Sequence, residues 1–248
     1  MSYKIDTIVL EARECREYDR IYTLLSREKG KISAIGVGTR KPKAKLASGL
    51  EPLTKNELFL IECRGLDRIK GVIIHDQYPK IRENYDKTIL VRRTTRILSW
   101  LLLEGERCED IFLALADFLT LVEKTSFENK DVGRSKVVLF QLALFWRGVA
   151  WLGITPSLYY CVSCRKKISK NDKFIFSVPN GLRCEKCFAN KDKNSMYIST
   201  DSVKILRFFL EGEVEILKKI KFDRKVLAEL SNITRYTLSH IIERRIIF

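Results

Sequence analysis

Two histidines, two methionines and five prolines are all that the 248 residues contain of these types. Each scarcity removes something. His75 and His240 stand apart in sequence, and each reads as a polar surface residue before it reads as a base or a metal ligand. There is no G-x-x-x-x-G-K-[ST] phosphate loop, no G-x-S-x-G elbow, and no H-x-E ahead of paired cysteines as in a zinc deaminase. Acidic residues are scattered, with no D-x-D or E-x-x-H cluster, so nothing in the chain argues for an enzyme. No stretch reaches the ~18 uncharged apolar residues of a membrane span. The opening Met1-Ser2-Tyr3-Lys4-Ile5-Asp6 lacks the apolar core of a secretory signal, which predicts a cytoplasmic protein. Disulfides are then not the default fate of its seven cysteines. With 12 glycines and 46% hydrophobic residues the chain is neither fibrous nor disordered, and its length suits one or two domains.

What is abundant is positive charge. Forty-six Lys and Arg against 31 Asp and Glu give +15, which invites an acidic partner, nucleic acid first among them. The excess is uneven. Residues 1–80 carry +5, residues 81–152 only +1, residues 153–195 +6 and residues 196–248 +3. The nearly neutral second segment suits a scaffold.

The first eighty residues alternate with a β period. Ile5 to Glu11, Ile21 to Leu25, Ile32 to Val37, Asn56 to Cys63 and Leu66 to Ile74 read as strands, with turns at Gly30 and Arg64-Gly65. Five short strands without a long helix predict a small closed barrel of the OB-fold type, with an open sheet as the alternative. Beyond Pro79 the period becomes helical. Helices are expected over Thr88–Leu103, with Arg92, Arg93 and Arg96 opposite the apolar side, over Glu109–Val122, and over Lys136–Leu152, a run apolar nearly all round. Gly153 and Pro156 end the third. Two more follow, one capped around Thr200-Asp201-Ser202 and running to Leu210, one from Asp223 to Arg245. The predicted class is α+β multidomain: an N-terminal OB-fold β-barrel over 1–80, then an α-helical domain over 81–248 with a four-cysteine zinc finger inserted at about 155–195.

The finger rests on Cys161-Val162-Ser163-Cys164, nineteen intervening residues, and Cys184-Glu185-Lys186-Cys187. Two thiolates three residues apart on a tight turn reach one metal at ~2.3 Å, and a second such knuckle completes a tetrahedron. Chance placement of seven cysteines gives only about 0.2 such pairs. Four protein sulfurs leave no open position, so the predicted cofactor is one structural Zn2+. A redox role would need a βαβ context that is missing. Cys15, Cys63 and Cys108 read as ordinary thiols.

A mobile basic loop, Gly38-Thr39-Arg40-Lys41-Pro42-Lys43-Ala44-Lys45, packs four cations into six positions with no acidic residue among them. Arg40, Lys41, Lys43 and Lys45 are candidates to follow a phosphate backbone, extended by Arg13, Arg16 and Arg20 on the neighbouring turn. Lys166 and Lys167, beside the first knuckle, are further DNA candidates. Tyr3, Tyr18, Tyr22 and Phe59 are the aromatics that could stack on bases, although burial is the commoner fate of each. Phe188 is expected to pack the finger. A second reading is a sequence-specific transcriptional regulator that reads duplex through the finger, with Lys186 and Asn190 as its base-reading options.

The order of parts carries more than any one motif. The strand Ile8-Val9-Leu10, the stretch Arg16-Glu17-Tyr18-Asp19-Arg20-Ile21-Tyr22-Thr23-Leu24, Lys29-Gly30-Lys31, the basic loop, Leu50-Glu51-Pro52-Leu53 and Gly153-Ile154-Thr155-Pro156 ahead of the quartet together resemble the RecO family of bacterial recombinational DNA repair mediators. The chain departs from the family where Leu53 stands in place of a common aromatic, and in a loop less rich in Arg. The resemblance implies a non-catalytic, nucleoid-associated protein that binds single- and double-stranded DNA and anneals complementary strands. It implies RecR as a partner, and the acidic C-terminal tail of single-stranded DNA-binding protein as another. It also implies help in loading RecA, with RecF involved indirectly. Such a tail needs a groove beside a basic residue of the helical bundle, for which Arg134, Lys136 and Arg147 are candidates.

Overall fold

Alternation in the first eighty residues becomes five strands: β1 (Ser2–Glu14), β2 (Arg20–Ser26), β3 (Gly30–Gly36), β4 (Lys55–Ile61) and β5 (Asp67–Asp76). In the computed structural model the order is β1-β2-β3-β5-β4, and β4 returns to pair antiparallel with β1, so the sheet closes as a barrel. β3 and β5 meet in parallel at only two positions, Ala34 with Asp67 and Ile35 with Arg68. Ile5, Val9, Tyr22, Leu24, Ala34, Leu58, Leu60 and Ile69 fill the interior, with Leu50 closing it. Strand β1 departs from simple alternation. Thr7, Ile8, Val9 and Leu10 are all buried, because a helix covers the outer face of this strand. A register shift between Val9 and Glu11 then re-aims its second half.

The structure describes residues 1–127, 130–169, 173–187, 195–212, 217, 220 and 222–243. The chain forms two compact units, Met1–Thr125 and Ser126–Phe248. Helices α1 (Pro79–Arg82), α2 (Tyr85–Leu101) and α3 (Glu109–Lys124) thus belong with the barrel, whereas the sequence reading places everything beyond residue 80 in the helical domain.

The reason lies in contacts that no periodicity announces. Gly30 has φ +65°, and a Cβ there would stand 1.8 Å from the carbonyl oxygen of Glu106. The Gly105 N–H donates to the Lys31 carbonyl at 2.8 Å. Lys31 Nζ donates to the Ser99 carbonyl at 2.9 Å, and Arg27 Nε to Glu109 at 2.9 Å. The β2–β3 turn is thereby fastened to the α2–α3 connection.

The second unit is built on α4 (Lys130–Trp151), α5 (Thr200–Glu211) and α6 (Arg224–Ile242). Trp146 is buried at the centre, donates from Nε1 to Thr234 Oγ1 at 2.8 Å, and meets Phe176 edge-on. The α5 cap falls one residue before the expected one: the Ser199 hydroxyl accepts from the Ser202 N–H, and both hydroxyls donate to the Glu229 carboxylate of α6. The Asp223 carboxylate accepts from the Lys225 N–H at the start of α6. Arg245, the expected end of that helix, lies outside the described residues. Between α4 and α5 the chain forms a three-stranded sheet, β6 (Phe174–Ser177), β7 (Gly181–Cys184) and β8 (Ser195–Tyr197), in the order β7-β6-β8. Among the described residues no helix is long and apolar enough to cross a membrane.

Candidate metal centre and nucleic-acid interface

The four quartet sulfurs lie within 4.8 Å of one another. The first knuckle is a tight turn after Tyr160, in which the Cys161 N–H donates to the Lys166 carbonyl and Arg165, at φ +61°, donates back to the Cys161 carbonyl. The second knuckle begins at the end of β7, where Cys184 pairs with Phe174 of β6, and turns through the short 3-10 helix Glu185–Cys187. The two are joined by the Val162 N–H donating to the Leu182 carbonyl at 2.9 Å. Gly181 makes the approach possible: at φ +121° its α-carbon lies against the backbone of Ser157, where a side chain would strike. From α5, Arg207 holds the entering segment by donating to the Leu158 carbonyl and lying over the Tyr159 ring at 4.1 Å.

The donor set fits a metal ion. A tetrahedron with ~2.3 Å metal–sulfur bonds has sulfur–sulfur edges of about 3.8 Å. Cys164 Sγ and Cys184 Sγ stand 3.7 Å apart. Burial pushes the Cys161 thiol up, but the N–H groups of Cys164, Cys184 and Ser163 outweigh it and bring the group to about 6. Contacts with the Cys164 and Cys184 sulfurs push Cys187 up to about 12. Four crowded sulfurs cannot all ionise alone, and a cation among them removes that obstacle. Cys161 and Cys184 are buried, Cys164 is exposed and Cys187 is half-buried.

The basic loop lies between β3 and β4 and is built of hydrogen-bonded turns. Lys41 N donates to Gly38 O, Ala44 N to Lys41 O, Ala47 N to Ala44 O, and Leu50 N to Ala47 O, a run of successive turns. The Asp19 carboxylate accepts from the Gly38 N–H at 2.8 Å, and Arg40 N donates to the Tyr18 carbonyl. Arg40 is clasped: its guanidinium donates to the Glu17 carbonyl at 3.0 Å and lies 3.2 Å from the Glu14 carboxylate. Lys41, Lys43 and Lys45 remain exposed.

The three outlying arginines differ in engagement. Arg13 is exposed, Arg16 lies 3.8 Å from Asp19, and Arg20, half-buried, lies 3.6 Å from Glu51. Of the four aromatics, Tyr22 is buried in the barrel. Tyr3 and Phe59 lie beneath Lys29 and Lys4. Tyr18 alone of the four is exposed, with Lys41 Nζ 5.4 Å from its ring centre. Sequence could have singled it out only through its place beside the loop arginines.

In the second unit, α4 and α6 enclose a groove of about 280 Å3, lined by Asp131, Arg134, Ser135, Val138, Arg224 and Leu227. Arg134 belongs to it; Lys136 and Arg147 do not line it. Arg147 donates to the Gly212 carbonyl at 2.6 Å. Arg224, 3.0 Å from Asp131, was not a sequence candidate, since nothing local signals that α6 lies beside the start of α4. Lys166, Lys167 and Lys186 are exposed near the quartet. Phe188 and Asn190 lie outside the described residues. The only helix among the described residues of the finger is the three-residue turn Glu185–Cys187, too short to display a reading face in a major groove.

Residues 1–78 match the family model described as Recombination protein O N terminal, and residues 82–246 match Recombination protein O C terminal. The chain belongs to the Recombination protein O family. Curated relatives carry the name DNA repair protein RecO. Those of Desulforamulus reducens and Pelotomaculum thermopropionicum are 27% and 28% identical over 247 and 242 residues, 98% of this chain and 91% and 90% of theirs. That of Desulfitobacterium hafniense is 25% identical over 245 residues, 98% of this chain and 86% of its own. The break between the two RecO family models, at residues 79–81, falls at α1, well before the boundary of the compact units.

Proposed function

We propose that this RecO-family chain is a non-catalytic DNA repair mediator whose N-terminal barrel, an OB-fold, binds single- and double-stranded DNA through the β3–β4 loop. The observation that carries the reading is the exposed trio Lys41, Lys43 and Lys45 on a loop built by consecutive turns and pinned by Asp19. A cationic loop of fixed shape neutralises phosphates without first being ordered, and Tyr18 beside it offers a ring face to an unpaired base. Arg13, Arg16 and Arg20 extend the surface, with Arg40 shaping the loop. Lys166 and Lys167 add a second cationic area on the finger. Neutralising two backbones at once is what annealing of complementary strands requires.

The quartet is proposed to hold one structural Zn2+ through Cys161, Cys164, Cys184 and Cys187. The α4–α6 groove is the proposed seat for the acidic C-terminal tail of single-stranded DNA-binding protein. Arg134 and Arg224 would meet its carboxylates, and Val138 with Leu227 would hold its apolar end. RecR is the proposed partner in helping RecA load onto coated strands, with RecF indirect. A cytoplasmic location follows from that role. The test is strand annealing with and without single-stranded DNA-binding protein, using wild type and the R40A/K41A/K43A/K45A variant. Annealing by wild type and its loss in the variant support the reading; equal annealing by both contradicts it.

A further inference from the structure

On α2 the positions 88–100 contain three arginines and no acidic residue. Arg92, Arg93 and Arg96 are all exposed, on adjoining arcs of one helical face. Like charges three and four residues apart repel along a helix, and among the described residues no carboxylate forms an ion pair with any of the three. One of them is held in place: the Arg96 guanidinium lies 5.3 Å from the centre of the Trp100 ring. At this distance the ring face attracts the cation, and a guanidinium suits a phosphate through its paired N–H donors.

This row is linked to the barrel. Arg20 lies 3.6 Å from Glu51, and Arg82 donates to the Pro52 carbonyl at 2.8 Å and to Thr54 Oγ1 at 2.9 Å. The short segment 51–54 therefore carries a guanidinium at each end. Arg92 stands close enough to Arg82 for their charges to oppose one another, adding to the burial that lowers the Arg82 pKa.

We propose that the path of a bound single strand leaves the barrel across Arg82 and continues along α2, where Arg92, Arg93 and Arg96 neutralise successive phosphates of its backbone. Charge complementarity selects the occupant: a row of uncompensated arginines matches a polyanion with a regular repeat. Residues 92 and 96 are separated by about 6 Å of helix rise, a step comparable to one nucleotide of an extended strand. The inference rests on the barrel as a nucleic-acid site and extends that site beyond the loop.

The test compares oligothymidylates of ~10 and ~40 nucleotides, the first matched to one barrel and the second long enough to reach α2. Full-length, metal-replete wild type, R92Q/R93Q/R96Q and R92K/R93K/R96K are titrated at several salt concentrations. The glutamine variant is expected to bind the short strand as wild type does and to bind the long one at least ten-fold more weakly. Its log–log salt slope should be smaller by about 2. The lysine variant should recover most of both, which separates lost charge from lost folding. Unchanged long-strand affinity and slope in a glutamine variant that melts as wild type does would overturn the proposal, as expected if the row instead met an acidic protein segment. An equal loss for both lengths would overturn it as well. Wild type binding neither length would overturn this path and the barrel reading together, whereas failure of the path alone leaves short-strand binding sensitive to the loop lysines.

Discussion

Glu14 holds Arg40 at 3.2 Å, from the end of β1 to the loop after β3. The contact divides the labour of the loop's four cations. Arg40 is neutralised and also donates to the Glu17 carbonyl, so it shapes the loop, while Lys41, Lys43 and Lys45 are left to meet an anion. Glu14 also places a negative charge beside the expected phosphate path. Exposed ion pairs contribute little to stability, so E14Q should leave the fold intact and raise affinity for single-stranded DNA by roughly two- to five-fold. Equilibrium binding at fixed salt checks this; weaker binding by E14Q would mean that Arg40 must be clasped for the loop to work.

The thiols give a count that reports the metal. Cys15 and Cys63 are exposed, Cys108 is buried, and four cysteines form the cluster. With zinc bound, an alkylating reagent near pH 8 should modify two thiols quickly, and elemental analysis should find one zinc per chain. Chelation should raise the count to six, leaving Cys108. C184S should loosen residues 158–187 to protease while the barrel stays intact.

Cys108 also sets a pH dependence. Burial pushes its thiol up to about 11 from an ordinary value near 9. The folded state prefers the protonated form, so its stabilising contribution is complete below the ordinary value and is lost as pH rises toward the folded one. Denaturant midpoints measured from pH 8 to 11 should fall over that upper range, and C108A should lessen the fall.

One carboxylate ties α3 to α1. The Glu123 side chain accepts from the N–H groups of Lys80 and Ile81 at 2.9 and 3.0 Å. E123A leaves both donors without this partner and should cost about 1–2 kcal/mol, read as a lower denaturant midpoint with an unchanged slope.

The five barrel strands, the five longer helices and the clustering of the four cysteines were legible because each is written in local spacing. Alternation marks β4, the near-continuous apolar run of Val137 to Trp146 marks the central helix, and the two C-x2-C pairs mark the cysteine cluster. What was illegible depends on distant contacts. The attachment of α2 and α3 to the barrel rests on Gly30 meeting Glu106 and on Arg27 reaching Glu109. The groove at Arg134 depends on Arg224, ninety residues away in the chain. The order within the basic loop comes from Asp19 and Glu14, which composition counts only as scattered acids.

The most direct test of the barrel as the DNA-binding site is a salt titration of single-strand binding by wild type and K41A/K43A/K45A, with Arg40 kept to preserve the loop. Each lost phosphate contact on a single strand removes about 0.7 from the log–log slope, so the variant's slope should be shallower by about 2, with at least ten-fold weaker binding at low salt. Superimposable lines for the two proteins would contradict the account.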